Sequence, residues 1–137
     1  VFETPGRCPG GPDIEPSHSR IAGSGPHAFE DGALEVTILL DGRGTEGARA
    51  SLTRLEADDD VDLRRHAHER SDEVLYFVEG EGTMRVGEVD VPVRAPAFVV
   101  ARAPDAHGYV SHGISSLVAY LVYAPAGPEQ RFRRPSP

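Results

Sequence analysis

No stretch of this chain repeats its apolar residues every three to four positions, and that limits the fold more than any other feature. Short apolar or alternating runs follow one another instead: Leu34–Leu40, Ala48–Leu55, Val61–Leu63, Val74–Val78, Thr83–Val86, Val89–Val93, Phe98–Ala101, His107–Val110 and Leu117–Tyr123. Gly80-Glu81-Gly82 and Gly87-Glu88 between them read as hairpin turns. Strands this short, with glycine and proline between them, bury their apolar faces in a sandwich or a barrel. The expectation is therefore an all-β protein. Its 137 residues suffice for one core and not for two.

The flanks differ from this middle part. Residues 1–32 hold Pro5, Pro9, Pro12, Pro16, Pro26 and six glycines, which excludes long regular elements and predicts an extended N-terminal arm. The β domain then covers residues 33–125, and residues 126–137 form a tail of coil around at most one turn of helix. Asp58-Asp59-Asp60 reads as a solvated loop.

Composition narrows the functions available. A formal net charge of −8 argues against nucleic acid or an anionic membrane surface as partners. There is no signal-like or membrane-length apolar stretch, so a cytoplasmic location is expected. Cys8 is the only cysteine and excludes an internal disulfide. All 14 basic residues are arginine, which removes Schiff-base chemistry, a covalent pyridoxal cofactor and a phosphate-loop lysine. Gly42-Arg43-Gly44-Thr45-Glu46-Gly47 matches a dinucleotide fingerprint, but that fingerprint must open a helix. The residues that follow alternate like a strand, so a hairpin loop is the better reading.

The chemistry lies in His66-Ala67-His68, Glu73 and His107. Alternate side chains of a strand share a face, roughly 7 Å apart, so two imidazoles spaced this way can meet at one ion. Glu73 heads the run Val74–Val78 after a polar turn, where its carboxylate can reach the same point. Three neutral imidazoles and one carboxylate suit one divalent transition metal (Fe, Mn, Ni, Cu or Zn) and leave positions for water or substrate. His112, beside Gly113, reads as part of a solvated turn.

His66-x-His68, Glu73 and Gly80, at intervals of four and six residues, resemble the first motif of the cupin family, and Pro104-Asp105-Ala106-His107 resembles the end of its second. The resemblance spans about residues 60–111. Asp60 stands where the first motif opens on glycine, Arg102 and Pro104 replace the second motif's proline and glycine, and Ser111 replaces a closing asparagine. The resemblance implies a jelly-roll barrel, the double-stranded β-helix, and an N-terminal arm lying across a partner subunit. It also implies dioxygenases, isomerases, decarboxylases, lyases and polyketide cyclases as the range of activities.

Three neutral imidazoles and one carboxylate around a divalent ion carry a net charge near +1, which favours a small anionic or chelating organic substrate. An oxygenase is the leading expectation. Non-oxidative Lewis-acid chemistry comes second, and a binding or sensory module without turnover third. Strand parity places Arg64 inward with His66 and His68, Phe77 inward with Glu73, and Tyr109 inward with His107. Arg64, Phe77 and Arg85 are thus candidate substrate contacts, Arg85 competing with Met84 for the inward position. Tyr109 is the candidate general acid. Asp72, Glu69 and Asp105 are candidate acceptors for the ligand histidines. A homodimer is expected from the arm and from the open strand edges of a small sandwich.

Overall fold

The computed structural model describes residues 27–29, 34–41, 49–58, 62–112 and 116–133. Ten strands follow in order: β1 (His27–Phe29), β2 (Leu34–Leu40), β3 (Ser51–Ala57), β4 (Asp62–His66) and β5 (Asp72–Glu79), then β6 (Glu81–Val86), β7 (Val89–Arg94), β8 (Ala97–Ala101), β9 (His107–Ser111) and β10 (Leu117–Ala124). Most of the rest of the arm, Cys8 and the Gly42–Gly47 loop lie outside the described residues.

Two antiparallel sheets face one another. One has the order β1-β2-β3-β10-β5-β8 and the other β4-β9-β6-β7. Period-two alternation builds the layer between them. Along β5, Glu73, Leu75 and Phe77 turn inward while Val74, Tyr76 and Val78 turn outward. Along β3, Ser51, Thr53, Leu55 and Ala57 do the same. Val36, Ile38, Leu55, Phe77, Met84, Leu117, Leu121 and Tyr123 form the centre of the core. The chain thus closes as a jelly roll, a double-stranded β-helix.

The two glycine turns behave differently. Gly87-Glu88 does close a hairpin, pairing Val86 with Val89, and Gly87 takes the positive φ of 57° that glycine adopts without steric cost. Gly80-Glu81-Gly82 is not a hairpin turn, because β5 and β6 belong to different sheets. Gly80, at φ 112°, is the corner at which the chain crosses between them.

The tail is more ordered than its prolines suggest. Pro128–Arg133 winds a 3-10 helix of six residues, about two turns at this helix's three residues per turn. Charged contacts fasten it to the barrel. Arg133 meets the buried Asp41 carboxylate at 2.6 Å and Gln130 donates to the same oxygen at 2.8 Å. Buried Glu129 accepts from the Ser51 hydroxyl at 2.9 Å and from the Gly127 amide at 2.7 Å. Phe132 is thereby held against the core. No helix among the described residues is long and apolar enough to cross a membrane.

Candidate metal centre

His66 ends β4, His68 lies two residues beyond it, Glu73 is the second residue of β5, and His107 opens β9. The histidines come from the four-stranded sheet or its edge and the carboxylate from the six-stranded sheet, so all four groups gather at one mouth of the barrel. A kink in β4 makes this possible. Leu63 pairs with Tyr109 and His66 with His107, so Arg64 and Arg65 together oppose Gly108 alone, a β-bulge. A Cβ on Gly108 would lie 2.9 Å from the Leu63 carbonyl oxygen and 3.1 Å from the Arg65 nitrogen, so the close approach of β4 requires glycine there.

The imidazole centroids are 4.5 Å apart for His66–His107, 4.9 Å for His66–His68 and 5.2 Å for His68–His107. One ligand atom from each of the four residues lies within 4.8 Å of the other three. Metal–ligand bonds of about 2.1 Å place ligand atoms up to about 4.2 Å apart, so a shift of roughly half an ångström brings them onto one ion. Glu73 Oε2 stands 2.6 Å from His107 Nε2 and 3.1 Å from His68 Nε2. His66 Nδ1 lies 2.8 Å from the Arg64 carbonyl, which fixes its proton there and leaves Nε2 as the free lone pair. That Nε2 is buried and has no hydrogen-bond partner. An unpaired nitrogen beside two imidazole nitrogens that converge on a carboxylate is a donor set that fits a divalent transition metal.

Electrostatics support the same reading. Burial pushes the Glu73 carboxyl up, but hydrogen bonds from His107 and His68 outweigh it and hold the group down at about 2. His66 is lowered chiefly by burial and further by the charge of Arg131, so it stays neutral and able to ligate. Burial, and then the neighbouring Glu73 charge, raise the Tyr123 hydroxyl far above its usual range. Tyr123 pairs with Glu73 across β10 and β5, and its ring packs edge-on against His68 at 5.3 Å.

Beside this cluster opens a cavity of about 300 Å³. Its wall is mostly apolar, from Leu75, Phe77, Met84, Leu117 and Leu121, with Phe132 contributed by the 3-10 helix. Phe77 is placed as parity requires, 1% exposed and in the wall. The other three expectations fare differently. Arg64 lines the cavity from its exposed rim, because the bulge breaks the alternation that would have turned it fully inward; it also gives the site its carbonyl. Arg85 faces outward in an ion pair with Asp90 at 2.7 Å, and Met84 takes the inward position. Tyr109 lines the cavity with its ring, stacked on Phe77 at 5.5 Å. Its hydroxyl, however, lies over Gly82, where a Cβ would come within 2.5 Å. Gly82 pairs with Ser111, four residues along β9 from His107, so this hydroxyl leans away from the cluster.

The supporting acceptors also differ from expectation. Asp105 faces His107 Nδ1 with its backbone carbonyl at 3.4 Å, and the Asp72 carboxylate accepts from the Ala103 amide instead. His112 is exposed beside Thr83, outside the cluster. Sequence reasoning missed Tyr123, Arg131 and Phe132. Phe132 left one signal, being the only large apolar side chain after Tyr123.

The family model described as Cupin domain matches residues 51–123, just over half of the chain. No curated protein matches the sequence. Among solved structures, a predicted oxalate decarboxylase from Thermotoga maritima is 22% identical with a TM-score of 0.67, over 73% of this chain and 91% of that one. An RmlC-like cupin from Shewanella frigidimarina is 20% identical with a TM-score of 0.64, over 77% and 86%. The Streptomyces nucleoside dehydratase Pac13 is 21% identical with a TM-score of 0.59, over 77% and 80%. At these identities the likeness is one of fold. With the family match over β3 to β10 and its two facing sheets, the chain belongs to the cupin family.

Proposed function

We propose that this protein is a metal-dependent enzyme for a small organic substrate with an apolar body and an anionic or chelating end. One observation carries the reading: four ligand groups from three strands and a loop converge beside a mostly apolar cavity, and three of them, His66, Glu73 and His107, stand in its wall. His66, His68, Glu73 and His107 would hold the ion. A divalent ion in such a site supplies Lewis-acid polarisation of a substrate oxygen and, as Fe(II), redox chemistry with dioxygen.

The chain's own residues do the remaining work. The Arg64 carbonyl keeps the His66 proton on Nδ1. Phe77, Met84, Leu117 and Leu121 hold the substrate's carbon skeleton and exclude water, which strengthens every charge interaction in the cavity. Tyr123, 0% exposed, paired with Glu73 and packed edge-on against His68, stands beside the ligands where Tyr109 leans away.

An oxygenase is the finer reading. Lewis-acid chemistry without oxygen is the second, consistent with what the names of two structural neighbours describe, a decarboxylase and a dehydratase. The absence of nucleic acid or an anionic membrane as partner belongs to the same proposal and is supported by the net charge of −8. Protein reconstituted with Fe(II) or with Zn(II) and offered β-dicarbonyl and aromatic substrates separates the two chemistries. Oxygen uptake with Fe(II) alone is the expected result. Undiminished turnover with Zn(II) in the absence of oxygen overturns the oxygenase reading, and no turnover with any metal leaves the binding-module alternative.

A further inference from the structure

Arg131 is the one charged residue that the 3-10 helix brings to the cavity wall, where it joins Arg64 and Arg65 of β4 and the candidate ligands His66, Glu73 and His107. Its Cζ rests 4.6 Å from the centroid of the Phe132 ring, within cation–π range, which holds the guanidinium at the mouth. Of the three arginines in this wall, Arg65 pairs with Glu88 at 3.5 Å. Among the described residues neither Arg64 nor Arg131 has a carboxylate partner, and of these two only Arg131 rests on an aromatic ring of the wall.

A solvated arginine resting on its neighbour's ring would account for the stacking alone. With a divalent ion bound, the Glu73 carboxylate offsets only one of its two charges, so Arg131 beside His66 leaves a net positive mouth that an anion would neutralise. The helix that carries Arg131 is latched by Asp41 and Glu129, so its position belongs to the folded barrel.

We infer that Arg131 is the anion-recognising residue of the cavity: it pairs with the carboxylate of an organic acid whose apolar chain runs inward past Phe132 toward Phe77 and Met84. This rests on the cavity being the substrate site, and it names the substrate class as small monocarboxylates with a hydrocarbon body. A planar guanidinium suits a carboxylate because two parallel N–H groups meet its two oxygens.

Calorimetric titration of the full chain with hexanoate and with hexanamide tests it, using Zn(II)-loaded wild type, Arg131→Gln, Arg85→Gln and the His66→Ala/His68→Ala double variant. Wild type and Arg85→Gln are expected to prefer hexanoate about tenfold, the size of one charge-assisted hydrogen bond. Arg131→Gln is expected to lose that preference with hexanamide affinity unchanged, while the double variant, emptied of metal, keeps part of it. No preference in wild type, or a full preference in Arg131→Gln, overturns the assignment. A preference lost in the double variant but kept in Arg131→Gln makes the metal the sole anion anchor, which sinks this inference and leaves the metal-enzyme reading intact. Dependence on Arg131 in a protein that binds no metal does the reverse.

Discussion

Glu73 carries a charge that burial alone would neutralise; at 2% exposure it stays ionised because two imidazoles donate to it. Its folded value of about 2 lies below the unfolded one of 4.5, so its contribution is complete above pH 4.5 and is lost as pH falls toward 2. The shift corresponds to on the order of 3 kcal/mol. His66, also lowered, acts in the same direction and begins earlier, below its ordinary value of 6.5. Melting temperature followed from pH 7 to pH 3 should therefore fall in two stages, and bound metal should leave in the first, as protons compete for imidazole. Tyr123 gives a second expectation. Its hydroxyl is buried with no hydrogen-bond partner, so Tyr123→Phe should change stability by less than about 1 kcal/mol in chemical denaturation while slowing turnover.

Among the elements, β4 decides where the imidazoles point. The spacing of His66 and His68 was legible in the sequence, and so was the inward phase of Glu73, Leu75 and Phe77, because period-two alternation holds along an unbroken strand. The bulge at Arg64 and Arg65 was not, since it depends on how β4 meets Gly108 on a strand more than forty positions away. Arg64 stands at the rim of the cavity and not deeper for that reason. Gly108→Val should disturb the bulge and lower metal affinity by about 10–100-fold, as loss of outer support typically does, with retained β-sheet circular dichroism. The 3-10 helix was hidden for another reason: its stability comes from Asp41 and Ser51, distant in sequence, and not from its own residues. Removing the buried acid in Asp41→Ala leaves Arg133 unpaired at the barrel wall and should cost about 3 kcal/mol in urea unfolding.

For the whole molecule, the jelly roll followed from strand cadence and from the likeness of His66-x-His68 and Glu73 to a known motif. The pairing order of the sheets came only with the structure. One outer face suits the expected homodimer. Phe98, 70% exposed on the edge strand β8, stacks on Tyr76 at 4.4 Å, and Val100 and Val78 continue the apolar surface at 53% and 41% exposure. An edge strand with such a face invites a second copy. Light scattering should find a dimer at micromolar concentration and a monomer for Phe98→Glu; a monomeric wild type would contradict it. The account as a whole turns on the ion that would join the two sheets at the barrel mouth. Elemental analysis of purified wild type beside His66→Ala/His68→Ala, with folding checked by circular dichroism, reads this directly. We predict close to one transition-metal ion per wild-type chain and almost none in the folded double variant. Equal metal in both proteins, or none taken up by wild type from Fe, Mn, Ni, Cu or Zn, would contradict it.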